Sequence, residues 1–353
     1  MSLTLLRLPD IKPKPDKDNA LYNQGNALLK SRSYEEAIDS FNKALKIKPG
    51  DHYIWYNRGV ALFYKQRYEE AIASFDKALK IQPGDYEAWL NRGLALDDWG
   101  HHEEAVNSYN QALQIKQNFY EAWYSRGNAL ERLGYHDQAI SSYNKVLQTN
   151  PEFHQAWNGR GVALDELNRH EEAIASYDKA LEIKPCDQEV WNNRGIGLGK
   201  LGNFKEAIAS FDKALEFKPD YADAFYNKAC CYGMQGFVEQ ALLNLQQAIN
   251  LNPEEFRKYA KTDSDFNSIR HSEQFQALIQ EESFQKEEDI SELPHKCSWE
   301  EAVKLFEMKR ISSGKAAQLL GIDRVTFLMN LHHYGVAMID LEEEELLSDL
   351  ENA

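Results

Sequence analysis

The apolar residues of this chain recur every 34 residues, and within each period they follow helical spacing. Trp55, Gly59 and Leu62 stand at i, i+4 and i+7, and a second triplet that begins at Ala71 repeats this spacing. Each triplet forms one face of an α-helix. The pattern therefore predicts two helices in each period.

The period divides residues 18–255 into seven units. These units span residues 18–51, 52–85, 86–119, 120–153, 154–187, 188–221 and 222–255. A glycine, an alanine and an aromatic residue recur at fixed places in the unit, and a proline closes most units. One helix pair cannot bury both of its apolar faces, so the units are expected to stack on one another.

Polar residues at the unit boundaries predict where the helices begin. Asp51 and Asp85 follow a Pro-Gly pair and are placed to cap the next helix. Glutamate pairs such as Glu35-Glu36 open the second helix, where the helix dipole favours negative charge. These acids are therefore interpreted as helix-start residues and not as acid/base dyads.

The repeated residues resemble the tetratricopeptide repeat at its aromatic, glycine, alanine, aromatic and proline positions. The resemblance implies an all-α fold, a right-handed superhelical solenoid of seven helix-turn-helix units. Its concave groove, lined by the first helices, would hold an extended or helical peptide. The departures are local: Gln117 replaces a proline, Val146 an alanine, and Leu21 and Phe225 the tryptophan.

The flanking segments differ from the repeats. Residues 1–17 contain Pro13 and Pro15 and are interpreted as a flexible lead-in. Residues 256–280 lose the period but keep helical spacing, and they resemble the segment that caps such arrays. Residues 281–295 are acidic and poor in apolar residues, which indicates a solvated linker.

Residues 296–353 are predicted to form a separate helical module with an acidic tail. Ala317, Gly321 and Ile322 fit a helix-turn-helix, with a small residue at the helix crossing, glycine in the turn and an apolar plug. Together with the S-x-G-K-A-A-x-L-x-G-I core, the segment resembles a family of small uncharacterised prokaryotic proteins that are thought to be antitoxin-like.

A helix-turn-helix can bind DNA, and it can equally serve as a packing or protein-binding surface. The candidate DNA contacts are Lys309, Arg310, Lys315, Arg324, Thr326 and Asn330. Residues 296–337 carry six basic and four acidic residues, and residues 340–351 add seven acids that would repel DNA. Both interpretations of the module stay open at this point.

Charge and composition favour a soluble cytoplasmic protein. The formal net charge of -16 argues against a protein that coats nucleic acid. The four cysteines show neither metal-ligand spacing nor a disulfide framework, which indicates a reducing compartment. The sequence shows no secretory signal and no apolar run long enough to cross a bilayer, so no membrane association is expected.

The residues predict no catalytic, metal or cofactor site, so the chain is not expected to be an enzyme. The pairs His101-His102 and His332-His333 are adjacent and point to different sides of a helix, unlike the i, i+4 ligands of a zinc helix. They are interpreted as surface or packing residues. No phosphate-binding loop or small-molecule substrate site is evident.

A ladder of basic residues recurs at Arg58, Arg92, Arg126, Arg160, Arg194 and Lys228. Sixteen residues before each lies an aspartate or asparagine, at the same distance from the turn between units. Antiparallel helices would place these residues opposite each other, so we predict cross-repeat pairs such as Asp76–Arg92 and Asp178–Arg194. Phosphate binding by free guanidinium groups is the alternative.

The resemblance also implies which residues line the groove. They are Tyr22, Asn23, Asn26, Tyr56, Asn57, Asn91, Asp97, Asp98, Tyr124, Asn128, Glu131, Asp165, Glu166, Asn193, Tyr226 and Asn227. An acidic, tyrosine-rich groove would suit a protein or peptide partner that is basic and partly apolar. Alternatively, these acids only keep the surface soluble.

We therefore expect a non-enzymatic scaffold or adaptor that binds a partner segment in the groove and uses the C-terminal module as a second contact. The alternative is a transcriptional or toxin–antitoxin-type regulator, in which that module binds DNA or a toxin-like protein. The sequence does not identify the partner.

Overall fold

The computed structural model describes residues 20–280, 298–307, 313–322, 326–327 and 331. The predicted lead-in at 1–17 and the predicted linker at 281–295 lie outside these residues. Within the described ranges the ordered elements are helices, joined by short turns. None of the described helices is both long and apolar enough to cross a membrane.

Residues 20–251 form seven consecutive helix pairs, as the period predicts. The first helices of the pairs are α1 Ala20–Lys30, α3 His52–Tyr64, α5 Tyr86–Asp98, α7 Tyr120–Arg132, α9 His154–Glu166, α11 Gln188–Lys200 and α13 Ala222–Met234. The second helices are α2 Tyr34–Ile47, α4 Tyr68–Ile81, α6 His102–Ile115, α8 His136–Thr149, α10 His170–Ile183, α12 Phe204–Phe217 and α14 Val238–Leu251.

The predicted helix starts are confirmed. The Asp51 carboxylate accepts a hydrogen bond from the backbone N–H of Tyr53, and that of Asp85 accepts one from Ala88. The pair Glu35-Glu36 lies in the first turn of α2. Each cap satisfies a backbone N–H that has no partner inside the helix.

The two helices of a unit pack closely because a glycine of the first faces an aromatic ring of the second. At Gly195, an added Cβ would lie 2.5 Å from Cε1 of Phe211, a distance that no carbon pair tolerates. In the seventh unit the equivalent positions hold Ala229 and the smaller Leu245. Gly195, Phe211, Ala229 and Leu245 are all buried in the core of the array.

Units stack by packing the second helix of one against the first helix of the next, from α2 with α3 to α12 with α13. Successive first helices also contact each other, from α1 with α3 to α11 with α13. This second set of contacts places the first helices on the inner side of the curved array. The candidate groove is therefore a surface of first helices.

The array ends in α15 Pro253–Thr262 and a 3₁₀ turn at Ser264–Phe266. The rings of Phe256 and Phe266 pack against Tyr226 of α13, with centroids 5.1 and 5.7 Å away. The Arg270 guanidinium donates to backbone carbonyls at the end of α15, including that of Lys261. These contacts cover the last repeat, as expected for a capping segment.

Residues 271–353 form a second compact unit. Its described helices are α16 Glu273–Ile279, α17 Trp299–Glu307 and α18 Ser313–Leu320. In α17 and α18, Ala302, Val303, Ala316 and Ala317 are buried, and the Trp299 ring stacks on Phe327 with centroids 5.6 Å apart. This core holds the C-terminal module together.

Candidate functional site

The arginine ladder forms the predicted cross-repeat pairs. Arg92 Nε lies 2.6 Å from Asp76 Oδ1, and Arg194 Nε lies 2.7 Å from Asp178 Oδ1. The acid in each pair belongs to the preceding unit. The prediction that these pairs join successive units is therefore confirmed. Arg160 is the exception, since its Nε has no hydrogen-bond partner among the described residues.

Every arginine of the ladder, Arg160 included, also contacts a serine and a tryptophan ring. Arg92 donates from an outer guanidinium nitrogen to Ser108 Oγ at 2.7 Å, and its guanidinium carbon lies 5.8 Å from the centre of the Trp89 ring. The equivalent serine bonds recur from Arg58, Arg126, Arg160 and Arg194. Since stacking and hydrogen bonds engage the guanidinium groups, the ladder is part of the interface between units, which favours the pairing interpretation over phosphate binding.

Asparagine side chains form a second ladder along the inner side. Asn91 Nδ2 donates to the Tyr56 hydroxyl at 2.6 Å, and Asn57 Nδ2 donates to the Tyr22 hydroxyl at 3.0 Å. At the equivalent positions of later units, Asn193 Nδ2 donates to Asn158 Oδ1 and Asn227 Nδ2 donates to Asn192 Oδ1. These amides hold neighbouring first helices together, so their donors are engaged in the free protein.

This ladder corrects part of the groove lining predicted from the sequence. Seven of the predicted residues are buried: Tyr22, Tyr56, Asn57, Asn91, Asp97, Asp165 and Tyr226. The physical reason is that the tyrosine rings fill the space between first helices. There the tyrosine hydroxyls form hydrogen bonds with asparagine amides or with carboxylates. Burial raises the pKa of Tyr22 to about 12.

Nine of the predicted residues keep at least part of their side chain accessible. They are Asn23, Asn26, Asp98, Tyr124, Asn128, Glu131, Glu166, Asn193 and Asn227. The acids among them come from three consecutive units in the middle of the array. The accessible chemistry of the inner surface is therefore acidic at its centre.

In the third unit, a buried carboxylate is paired with a cation of the fourth. Asp97 Oδ2 lies 2.5 Å from an outer nitrogen of Arg132, and Asp97 Oδ1 lies 2.6 Å from His102 Nδ1. The neighbouring Asp98 is exposed. Partial loss of its hydration and the negative charge of Asp97 both raise the pKa of Asp98. Arg132 thus neutralises part of the acidic centre.

In the fifth unit the equivalent carboxylate has different partners. Asp165 Oδ1 lies 2.8 Å from His170 Nδ1, and Asp165 Oδ2 accepts a hydrogen bond from the Tyr177 hydroxyl at 3.0 Å. Burial raises the pKa of Tyr177 well above its ordinary value, and Asp165 adds to that effect. No arginine is bonded to Asp165 within the described residues.

Two features of this site were missed from the sequence, although each has a spacing that reveals it. The asparagine of one unit stands 35 residues after its partner, one residue more than the period. The histidines of the third and fifth units stand five residues after their aspartates, across the turn between the two helices. His102 and His170 are therefore packing residues with a defined carboxylate partner.

One cluster near the end of the array contains metal-ligand types. Atoms of Cys230, Asp263 and Asp265 lie within 4.8 Å of one another. Asp263 Oδ2 accepts hydrogen bonds from the Tyr226 hydroxyl at 2.7 Å and from Cys230 Sγ at 3.7 Å. Burial raises the pKa of the Cys230 thiol, which keeps it protonated near neutral pH. The groups bond to one another and so fasten the cap to the last repeat.

Most of the candidate DNA contacts fall outside the described residues, namely Lys309, Arg310, Arg324 and Asn330. Lys315 lies in α18, where its side chain is not described, and Thr326 is exposed. Gly321 has a positive φ of 69°, and Ile322 donates its backbone N–H to the carbonyl of Ala317. A positive φ is the conformation that favours glycine in a tight turn after a helix.

Comparison with known families matches both parts of the chain. Profiles described as tetratricopeptide repeat match residues 4–52, 22–86, 124–187, 98–134, 189–221 and 74–107. A profile described as an uncharacterised protein family, UPF0175, matches residues 272–353. This second match begins inside the predicted capping segment and close to the start of the second compact unit.

Solved structures of tetratricopeptide repeat proteins resemble the array. The C-terminal part of a repeat protein from Cytophaga hutchinsonii is 18% identical, with a TM-score of 0.57 over 70% of this chain and 99% of its own. A repeat protein from Parabacteroides merdae is 19% identical, with a TM-score of 0.55 over 70% of this chain and 96% of its own. These similarities show a shared fold. No curated protein matches the chain.

Proposed function

Because the chain belongs to the tetratricopeptide repeat family and ends in a module of an uncharacterised family, we propose that it is a non-enzymatic scaffold that captures a segment of a partner protein on its inner surface. Its repeat array is a protein-interaction fold. The C-terminal module supplies a second contact. The partner segment is basic and partly apolar, and the complex forms in the cytoplasm.

The observation that carries this proposal is the acidic centre of the inner surface. Asp98, Glu131 and Glu166 come from three consecutive first helices and remain accessible, while the tyrosines between those helices are largely buried. A concave surface with one sign of charge attracts a segment of the opposite sign and sets its register. Between the charges, the half-buried Tyr124 ring offers apolar contact.

The test is a binding assay of the full chain against an array of 12-residue peptides of mixed composition. Basic peptides with apolar neighbours should bind, and their affinity should fall when sodium chloride rises from 50 to 500 mM, because salt screens exposed charges. If no peptide binds, or if the bound peptides are acidic, the proposal is wrong.

A matched pair of variants separates groove binding from general charge. The groove variant Asp98→Asn/Glu131→Gln/Glu166→Gln should lose most of the binding. The control variant Asp39→Asn/Glu152→Gln/Asp220→Asn removes the same charge from exposed positions outside the inner surface and should bind like the unmodified chain. An equal loss in both variants would mean that only net charge matters.

The C-terminal module supports a second candidate, a regulator in which this module binds DNA or a toxin-like protein. The observation in its favour is the turn after α18, where Gly321 and the buried Ala317 occupy the places expected for a helix-turn-helix. A mobility-shift assay should show duplex DNA bound by the full chain at low salt and not by residues 1–282. No shift with the full chain would reject DNA binding.

A further inference from the structure

Two units of the array hold the same aspartate in two different ways. Asp97 and Asp165 occupy equivalent positions near the end of α5 and α9, and each bonds to the histidine five residues later. They differ at the second carboxylate oxygen, Oδ2. In the third unit this oxygen binds the Arg132 guanidinium of the next unit, at 2.5 Å.

In the fifth unit no arginine of the following unit binds this carboxylate within the described residues. The residue that corresponds to Arg132 in the following unit is Lys200, which is exposed and forms no ion pair with any acid in the described part of the chain. Oδ2 of Asp165 is instead bound by the Tyr177 hydroxyl at 3.0 Å. A carboxylate oxygen has two lone pairs, so this bond leaves room for a further donor.

The equivalent tyrosine of the third unit does not bond to its aspartate. Tyr109 is equivalent to Tyr177, but its buried hydroxyl lies beside Ser125, and Asp97 Oδ2 is bound by Arg132. The two units therefore represent the same polar pocket with and without an arginine. In the unit without the arginine, the tyrosine hydroxyl donates a hydrogen bond to the carboxylate.

The unit after Asp165 has smaller residues at two positions than the unit after Asp97. The following unit has Gly197 where the fourth unit has the buried Ala129, and an added Cβ there would lie 3.3 Å from Asp165 Oδ2. Gly199 stands where the fourth unit has Glu131. The Asp165 side chain accordingly retains 7% exposure, whereas that of Asp97 retains 0%.

The surroundings of Asp165 favour a cation. Glu131 and Glu166 lie near enough to Tyr177 to raise its pKa further, so their negative charges reach the same pocket. Coulomb attraction at such a buried carboxylate exceeds that at the open surface. Lys200, at the position of Arg132 in the next unit, is exposed.

We propose that Asp165, His170 and Tyr177 form a receptor for an arginine side chain of the bound partner. The partner's guanidinium binds Asp165 as Arg132 binds Asp97. A planar guanidinium suits a carboxylate better than an ammonium group does. This inference rests on the proposed function and specifies which residue of the partner segment is read in the fifth unit.

The test begins with the peptide array described above and the full chain. For the tightest peptide, each arginine is replaced in turn by citrulline, which keeps the shape and removes the charge. One replacement should weaken binding roughly 10- to 100-fold, the range for a hydrogen bond to a charged group. In Asp165→Asn the same replacement should matter less than about threefold.

Two further variants give controls. Lys200→Arg places an arginine at the position of Arg132 while it leaves the carboxylate in place, so it should also abolish the preference for arginine over citrulline. Asp220→Asn removes one charge from an exposed loop and should keep the full preference. Circular dichroism of each variant establishes that the array remains folded.

The outcomes separate the two proposals. If peptides bind but citrulline is tolerated everywhere, or costs the same in Asp165→Asn and the unmodified chain, the arginine receptor is refuted and the scaffold function stands. If no peptide binds, the scaffold function itself fails. If Asp165→Asn unfolds, the comparison of Lys200→Arg with the unmodified chain decides.

Discussion

Replacing Gly195 by alanine tests whether the glycine–ring contact fixes the distance between the two helices of a unit. The new methyl would lie 2.5 Å from Cε1 and 2.8 Å from Cδ1 and Cζ of the Phe211 ring, so the buried ring must move. Overpacking of this kind costs about 1–3 kcal/mol. Alanine is a better helix former than glycine and stabilises the helix by about 1 kcal/mol, which offsets part of this cost. The net expectation is a loss of up to about 2 kcal/mol.

The sign of this effect should reverse when the ring is removed. In the background Phe211→Leu, the two positions hold alanine and leucine, which is the combination that the seventh unit has at Ala229 and Leu245. Gly195→Ala should then stabilise the unit by about 1 kcal/mol through helix propensity alone. The coupling between the two substitutions is therefore expected at about 1–3 kcal/mol.

Hydrogen exchange measured by mass spectrometry is the suitable assay, because units of a repeat array can unfold locally. Peptides from α11 and α12 report the local free energy of opening in all four combinations of the two sites. Gly84→Ala serves as the control, since nothing lies within 4 Å of its added Cβ. If Gly195→Ala has the same effect in both backgrounds, the ring contact is not what excludes a side chain at this position.

Three further outcomes are expected. Arg126→Lys should lower the stability of the array by about 1 kcal/mol in urea titrations, because lysine cannot bond to both Asn110 and Ser142 as the arginine fork does; an unchanged midpoint would contradict this. Burial raises the pKa of Tyr22 to about 12, so its contribution to the free energy of unfolding should be constant below pH 10 and should decrease between pH 10 and 12. Phenolate absorbance and circular dichroism measure this change. Phenolate formation by Tyr22 at pH 10 in the folded array would contradict the expectation. The buried, protonated Cys230 thiol should resist iodoacetamide at pH 8 in the native protein and react in urea; native labelling at this position would show that the cap opens.

The helix pairs and their stacking could be predicted from the sequence because they depend on a pattern that occurs seven times. The 16-residue offset between Asp76 and Arg92 is set by the turn between units and not by fine details of packing. The pairing could therefore be read before the structure was known, and it is confirmed at 2.6 Å.

The state of the groove residues could not be predicted in the same way. Helical phase places Tyr56 and Asn91 on the inner side of their own helices, but it does not say how closely the next helix approaches. The hydrogen bond of 2.6 Å between these two side chains depends on that approach, and it buries both. The family pattern therefore indicates the correct surface, whereas contacts between units determine which side chains remain open on it.

The interface between Arg92, Trp89, Asp76 and Ser108 has a consequence for how such a chain changes over generations. Nearly the same four contacts recur at successive junctions of the array. Recombination that inserts or deletes one whole 34-residue unit between such junctions would rejoin surfaces that already fit. The array can thus change in length without new compensating substitutions, except at its last unit, whose Leu245 and cap contacts are not shared by the others.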